Sequence, residues 1–338
     1  MLPQIFHTTA ILKILFASLI FSSAYFFTGC NGSQNRSQSY IGESRSDYRW
    51  EESDTTLRLI RDTNLIWQYN FNTRKGKPFF HPLKVNGVTL SCESPADHTW
   101  HLGLWFSWKF INGLNYWEYK NGYASEITGY RSEGVTEIES IRIIKQKTCA
   151  AEINLDILYH PEGQAPVMKE NRKINISPPL PDGSYYIDYE LVFQAINQDV
   201  LLDRTPIAGE PGGQSWGGYS GLSIRFSQDF TRSATLIPED SLSRQNSNFI
   251  YMGFETDRDG KSGLSIFQHP DFKTPTTSWY ITNNPEVPFI YYSPAVIFDH
   301  NILLEREQQL HLKYRVWTLS GDVDEKLLKD KYEQYVSR

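Results

Sequence analysis

Apolar and polar positions alternate along most of this chain. Ile153, Leu155, Ile157 and Tyr159 interleave with Glu152, Asn154 and Asp156. Ile187, Tyr189, Leu191, Phe193 and Ala195 do the same with Asp188, Glu190 and Gln194, and Leu310, Leu312, Tyr314 and Val316 with His311, Lys313, Arg315 and Trp317. A period of two sends successive side chains to opposite faces, so each run predicts a strand with one face turned to a core. Shorter strands are predicted over 222–226, 234–237, 249–254, 264–268 and 289–292. Asn86-Gly87 and Asn112-Gly113 predict two-residue hairpins, because both central positions of a type I′ turn need positive φ. Asp62-Thr63-Asn64 predicts the turn of an opening hairpin over 57–69. Helical periodicity is confined to the end, where Asp322 and Glu325 resemble a capping box ahead of Leu327, Leu328, Tyr332, Tyr335 and Val336. The pattern predicts an all-β fold: a large antiparallel two-sheet β-sandwich with one C-terminal α-helix, forming a single domain over 54–338.

The first residues follow a different rule. Residues 14–27 are apolar but too few for a comfortable membrane span. They end in Phe27-Thr28-Gly29-Cys30, which resembles a bacterial lipobox. The expectation is a signal peptide over 1–29, a lipid anchor on Cys30 and a polar, Ser-rich tether over 30–53. The protein would then be membrane-anchored, facing the periplasm or held at the outer membrane. Loss of Lys13 with the signal leaves 32 basic against 39 acidic residues, a net charge of −7 with no basic block, which argues against a nucleic-acid partner. Cys92 and Cys149 would be free to pair in an exported protein, but their spacing decides nothing.

Specialised chemistry concentrates in residues 79–119. This stretch holds His81, His98 and His101, the carboxylate of Asp97, and Trp100, Trp105, Trp108 and Trp117. Such a mixture predicts a concave site floored by aromatic rings, with imidazoles at its mouth. His98 and His101 are three apart, which brings two rings together on a tight turn but separates them on a strand. Pro95-Ala96-Asp97 favours the turn. Residues 208–221 are rich in glycine without any period, and read as a long functional loop.

Several blocks carry a resemblance. They are Pro78-Phe79-Phe80-His81-Pro82-Leu83, Asp97-His98-Thr99-Trp100-His101-Leu102-Gly103-Leu104-Trp105, Asn112-Gly113 with Trp117, and Gly218-Tyr219-Ser220-Gly221-Leu222 leading to Arg225. Gln268-His269-Pro270, Trp279-Tyr280 and Leu312-Lys313-Tyr314-Arg315 continue it. Together they resemble the bacterial family catalogued as "methane oxygenase PmoA", whose name is not an activity. A membrane oxygenase subunit needs several apolar spans of about twenty residues, and nothing after Phe27 supplies one. Trp100 stands where that family commonly has another histidine, and Asn171 where an acid usually follows the glutamate. The first departure removes one metal ligand.

The resemblance implies a galactose-mutarotase-like sandwich, a fold that mostly handles carbohydrate. Sites of that kind work with a histidine acid and a carboxylate base. Here His98 or His101 would be the acid and Glu210 the carboxylate, with Asp97 and Glu118 as competitors. His81, Trp100, Tyr219, Arg225, His269 and Arg315 would bind or position the sugar. Two other readings stand beside this one. His98 and His101 could hold a divalent metal, with His81 or His269 as a third ligand. Alternatively the chain is a non-catalytic carbohydrate-binding lipoprotein whose indoles form a stacking platform, although Trp105 and Trp117 are expected in the core.

Overall fold

The computed structural model describes residues 47–73, 75–120, 132–230, 234–240, 245, 247–256, 260–270, 278–284 and 289–337. The signal peptide, Cys30 and most of the tether lie outside these residues. Two large antiparallel sheets dominate. The first runs in spatial order through Tyr48–Glu52, Thr56–Arg61, Asn64–Asn70, Phe79–Val85, Leu104–Ser107, Gly221–Arg225, Phe289–Pro294 and Trp279–Asn284. The second runs through Thr235–Ile237, Phe249–Thr256, Gly260–Gln268, Gln309–Ser320, Tyr185–Ala195, Met168–Ile176, Ala151–Pro161 and Gly134–Lys145. A smaller sheet joins Ile302–Leu304, Val200–Asp203, Phe110–Ile111 and Leu114–Asn115. The protein is therefore an all-β sandwich with a C-terminal helix.

The alternation fixes which way each strand faces. Leu57, Trp67, Phe80, Leu104 and Phe106 of the first sheet meet Ile153, Ile174, Ile187, Leu191, Leu312 and Val316 of the second in one buried core. Both Asn-Gly hairpins form, with φ of 48° and 82° at Asn86 and Gly87, and 50° and 79° at Asn112 and Gly113. The opening hairpin turns at Asp62, where φ is 53°. The tether ends earlier than expected. Tyr48–Glu52 pairs with Thr56–Arg61, and Tyr48 and Trp50 pack on the core. An alternation of only five residues was enough to extend the sheet. Cys92 and Cys149 are both free thiols.

The helix Glu325–Val336 covers the outer face of the second sheet, burying Leu328 and Tyr335 against Phe249, Phe267 and Trp317. Its N-cap is Asp324 rather than Asp322: the Asp324 carboxylate accepts from the Leu327 N–H at 2.7 Å, while Asp322 pairs with Lys261. No helix among the described residues is long and apolar enough to cross a membrane.

One ion pair lies inside the sandwich. Arg172 donates to Glu170 through Nε and Nη2, at 2.6 and 3.0 Å, and Tyr159 donates its hydroxyl to the same carboxylate. All three side chains are buried, so each charge depends on the other for its missing solvation. Arg172→Met is expected to lose about 3–5 kcal/mol of stability, whereas the double variant Glu170→Met, Arg172→Met loses less than the sum of the singles. Urea unfolding of the four proteins checks this, and additive losses would refute the coupling.

Candidate functional site

The outer face of the first sheet carries a second set of aromatics. Where Phe80, Leu104, Phe106 and Tyr292 point into the core, their neighbours Phe79, Trp105 and Tyr291 point the other way and pack with Leu102 and Trp117. Above this floor is a cavity of about 580 Å³. Trp100, Trp117, Trp216, Tyr219, Tyr280, Phe289 and Tyr291 form most of its wall, with His98, His101, Glu118 and Thr282 as the main polar groups. Trp105 and Trp117 are both buried in this cluster, as expected, and Trp117 also borders the cavity.

A turn brings the two imidazoles together. The His98 N–H donates to Pro95 O, and the His101 N–H to His98 O, at 3.0 and 2.9 Å. The chain then doubles back at Gly103, whose φ is 83° and where a Cβ would sit 2.4 Å from Phe80 O. Only glycine allows that approach. The rings of His98 and His101 stack with centroids 4.7 Å apart and planes 25° from parallel, and Tyr291 also stacks with His101, at 5.5 Å.

Arg225 anchors the turn from below. Its side chain is completely buried, lies 4.1 Å over the Phe289 ring, and donates through Nη2 to Asp97 Oδ2 at 2.8 Å. Asp97 Oδ2 also accepts from His98 Nδ1 at 2.9 Å. Burial alone would raise the Asp97 carboxyl, but the hydrogen bonds from His98 and Arg225 outweigh it and hold the group below the usual carboxylate range. With Nδ1 committed to a carboxylate, His98 keeps Nε2 for proton exchange. His101 differs. Burial, reinforced by the positive charges of His98, Arg225 and Lys77, drives its pKa well below the ordinary imidazole value. Its Nδ1 lies 3.5 Å from Arg225 Nη1, a group that can only donate, so the proton sits on Nε2.

Across the cavity wall, Glu118 is held by Lys109, by Asn115 Nδ2 at 2.7 Å and by the Tyr219 hydroxyl at 2.6 Å. Burial pushes its carboxyl up, but Lys109 and the hydrogen bonds bring it below the usual glutamate range, so it is ionised.

Other expected residues lie elsewhere. Glu210 does not line the cavity: Arg204 grips it with two hydrogen bonds at 3.0 and 2.8 Å, and it accepts from the Ile207 N–H. Its work is to close the Gly-rich loop whose far end delivers Trp216 and Tyr219. His81 pairs through Nδ1 with Ser91 Oγ at 2.9 Å and is absent from the cavity wall. His269 and Arg315 belong to the second sheet, under the C-terminal helix. His269 meets Tyr335, while Arg315 is paired with Asp188 and sits between the Tyr186 and Tyr335 rings. Alternation turns Arg315 away from the core, and strand pairing sets that face on the second sheet, away from this site. Trp216 was missed; its signal was a lone indole in a loop without period, and it is the most exposed ring of the wall, at 52%. The residues also fit a metal poorly. Stacked imidazoles direct their lone pairs side by side instead of toward one point, and no group of three ligand-type side chains is placed to hold an ion among the described residues.

Because the folded Asp97 pKa lies below its unfolded value, its stabilisation is complete above the unfolded range of about 4 and is lost as pH falls through the folded value. Asp97→Asn is expected to cost about 1.5–3 kcal/mol at neutral pH, toward the lower end because the carboxylate is 35% exposed. Urea unfolding at pH 7 and pH 3 checks both parts. The gap between the two proteins should narrow in acid, and a pH-independent gap would count against the Asp97–Arg225 linkage.

Comparison with known proteins adds the following. No curated protein matches the chain. Among solved structures, a polysaccharide lyase aligns with 84% of this chain and 34% of its own, at 10% identity and a TM-score of 0.34. An alpha-galactosidase from Lactobacillus brevis aligns with 85% of this chain and 41% of its own, at 11% identity and a TM-score of 0.31. A galactose mutarotase related enzyme from Lactobacillus acidophilus aligns with 82% and 98%, at 9% identity and a TM-score of 0.30. The chain thus spans less than half the length of the first two. One family model matches residues 56–333, nearly the whole described sandwich, and by that match the chain belongs to the family of unknown function DUF6807.

Proposed function

We propose that this chain is a lipoprotein, anchored through Cys30 and facing the periplasm or held at the outer membrane, that binds carbohydrate and modifies it by general acid–base chemistry. The observation that carries the reading is the aromatic cavity in which an Asp97-oriented imidazole and an ionised Glu118 both reach the wall. A sugar ring has one apolar C–H face and a rim of hydroxyls. Indole and phenol faces complement the first; His98, His101 and Glu118 supply acceptors and donors for the second. The Asp97–Trp105 block that carries the resemblance to the PmoA family supplies His98, Trp100 and His101 to this wall.

In this reading His98 Nε2 takes a proton from, or returns one to, a sugar oxygen, with Asp97 stabilising the imidazolium that forms. His101, neutral and buried, offers Nε2–H as a hydrogen-bond donor. Glu118 accepts a hydroxyl proton or hydrogen bond on its own side, and Arg225 positions Asp97 without touching the ligand. The exposed Trp216 favours a second reading, a binding module without turnover, since a ring at the cavity mouth serves capture as well as catalysis.

Titration of the protein with a panel of mono- and oligosaccharides, followed by tryptophan fluorescence, tests the first step. Trp216→Ala should weaken the best sugar about tenfold, equivalent to about 1.4 kcal/mol. His98→Ala should leave that affinity within a few fold and lower turnover by about 10²–10⁴-fold. Binding without any product in wild type would select the second reading; a panel with no binder at all would sink both. Separately, Cys30→Ser should move the protein from the membrane fraction to the soluble one, and an unchanged distribution would refute the anchor.

A further inference from the structure

Behind the wall that carries Trp117 and Glu118 lies a second cavity, of about 530 Å³, with a different character. Its lining includes Lys75, Lys77, Ser132, Thr136, Glu137 and His160. Lys77 is only 4% exposed, its ammonium donating to the Trp117 carbonyl and lying 5.3 Å from the Tyr119 ring centre. Ser132 is 6% exposed, and its hydroxyl has no hydrogen-bond partner among the described residues. A buried hydroxyl without a partner costs about 1–3 kcal/mol and calls for a group to receive it.

Charge points the same way. Lys77 and Lys109 are both buried, and Glu118 is the carboxylate that offsets them. That carboxylate is already shared by Lys109, Asn115 and Tyr219. On the cavity wall Glu137 is engaged by His160 Nε2 at 3.0 Å, and Lys75 by Glu93 at 2.9 Å, so that among the described residues Lys77 has no carboxylate of its own. Burial accordingly pushes the Lys77 ammonium down to about 7, with Glu118 pulling it up and Lys109 pushing it lower. An anion in the cavity would supply the missing counter-charge, and its oxygens would accept from both Lys77 Nζ and Ser132 Oγ.

We propose that this polar cavity is a binding site for a compact tetrahedral oxyanion, sulfate or phosphate, held by Lys77 and Ser132. The oxyanion is either free in solution or an ester group on a glycan. The inference is independent of the aromatic cavity's ligand.

Calorimetric titration of the full chain with inorganic sulfate and inorganic phosphate, in about 0.15 M chloride to suppress loose surface pairing, tests the proposal. Saturable binding of one of them is expected. Ser132→Ala should weaken it about tenfold without lowering the melting temperature of the free protein, since that hydroxyl gives up no partner, and Lys77→Met should abolish it. Should Lys77→Met fail to fold, Ser132→Ala carries the test alone. Absence of saturable binding in wild type, or affinity unaltered by Ser132→Ala, overturns the site. A sulfated monosaccharide binding at least tenfold tighter than inorganic sulfate would identify the ester as the source, and equal affinities the free anion. Neutral sugars read only the aromatic cavity, so either proposal can fail without the other.

Discussion

The candidate site depends on one buried charge. Arg225 projects from the outer face of a sheet strand into a region closed by Phe289 and the His101 ring. A guanidinium cannot shed its proton there, and an uncompensated buried cation costs several kcal/mol. The 94–101 turn supplies Asp97 as the counter-charge, and Asp97 orients His98 in the same stroke. The backbone enforces the arrangement from both sides, as the Arg225 N–H donates to Gly103 O and its carbonyl accepts from the Cys92 N–H. Orientation of the His98 imidazole is thus tied to the solvation of a buried arginine.

Above that anchor, the site is a by-product of sheet geometry. Strands that pack a sandwich must alternate, so every core residue of the first sheet has a neighbour facing outward. Most sheets cover such a face with polar groups or a helix. The second sheet does so here, laying its terminal helix over Phe249, Phe267 and Trp317. The first sheet carries Phe79, Trp105 and Tyr291 on its outer face and leaves the space above them open, roofed by rings from three loops. The Gly-rich loop is one of these. Arg204 and Glu210, which do not line the cavity, tie its base together, and Trp216 and Tyr219 project from the same segment without regular structure.

The cavity wall is also an electrostatic boundary. On one side are aromatic faces, two imidazoles and an ionised carboxylate; on the other are hydroxyls, the Lys75 and Lys77 amines and the Glu137–His160 pair. Trp117 and Glu118 belong to both sides through their ring, carbonyl and charge. Two cavities of opposite polarity can adjoin only because the strip between them is filled by buried, hydrogen-bonded side chains.

The sequence by itself determined the all-β class, the sandwich, both Asn-Gly hairpins and the terminal helix. Each rests on local periodicity or turn stereochemistry, which the chain carries residue by residue. It also determined that His98 and His101 share a turn, since Pro95 and their spacing of three act over a few residues. Which distant groups join them was decided only by tertiary structure. Glu210 in the Gly-rich loop and Glu118 in the aromatic stretch are both candidate carboxylates in the sequence, yet Arg204 claims the first and the cavity the second. His269 and Arg315 alternate as faithfully as Arg225 does, but alternation reports a face and never says which sheet owns it. That assignment follows from strand order, and strand order is set by long-range pairing that no local pattern encodes.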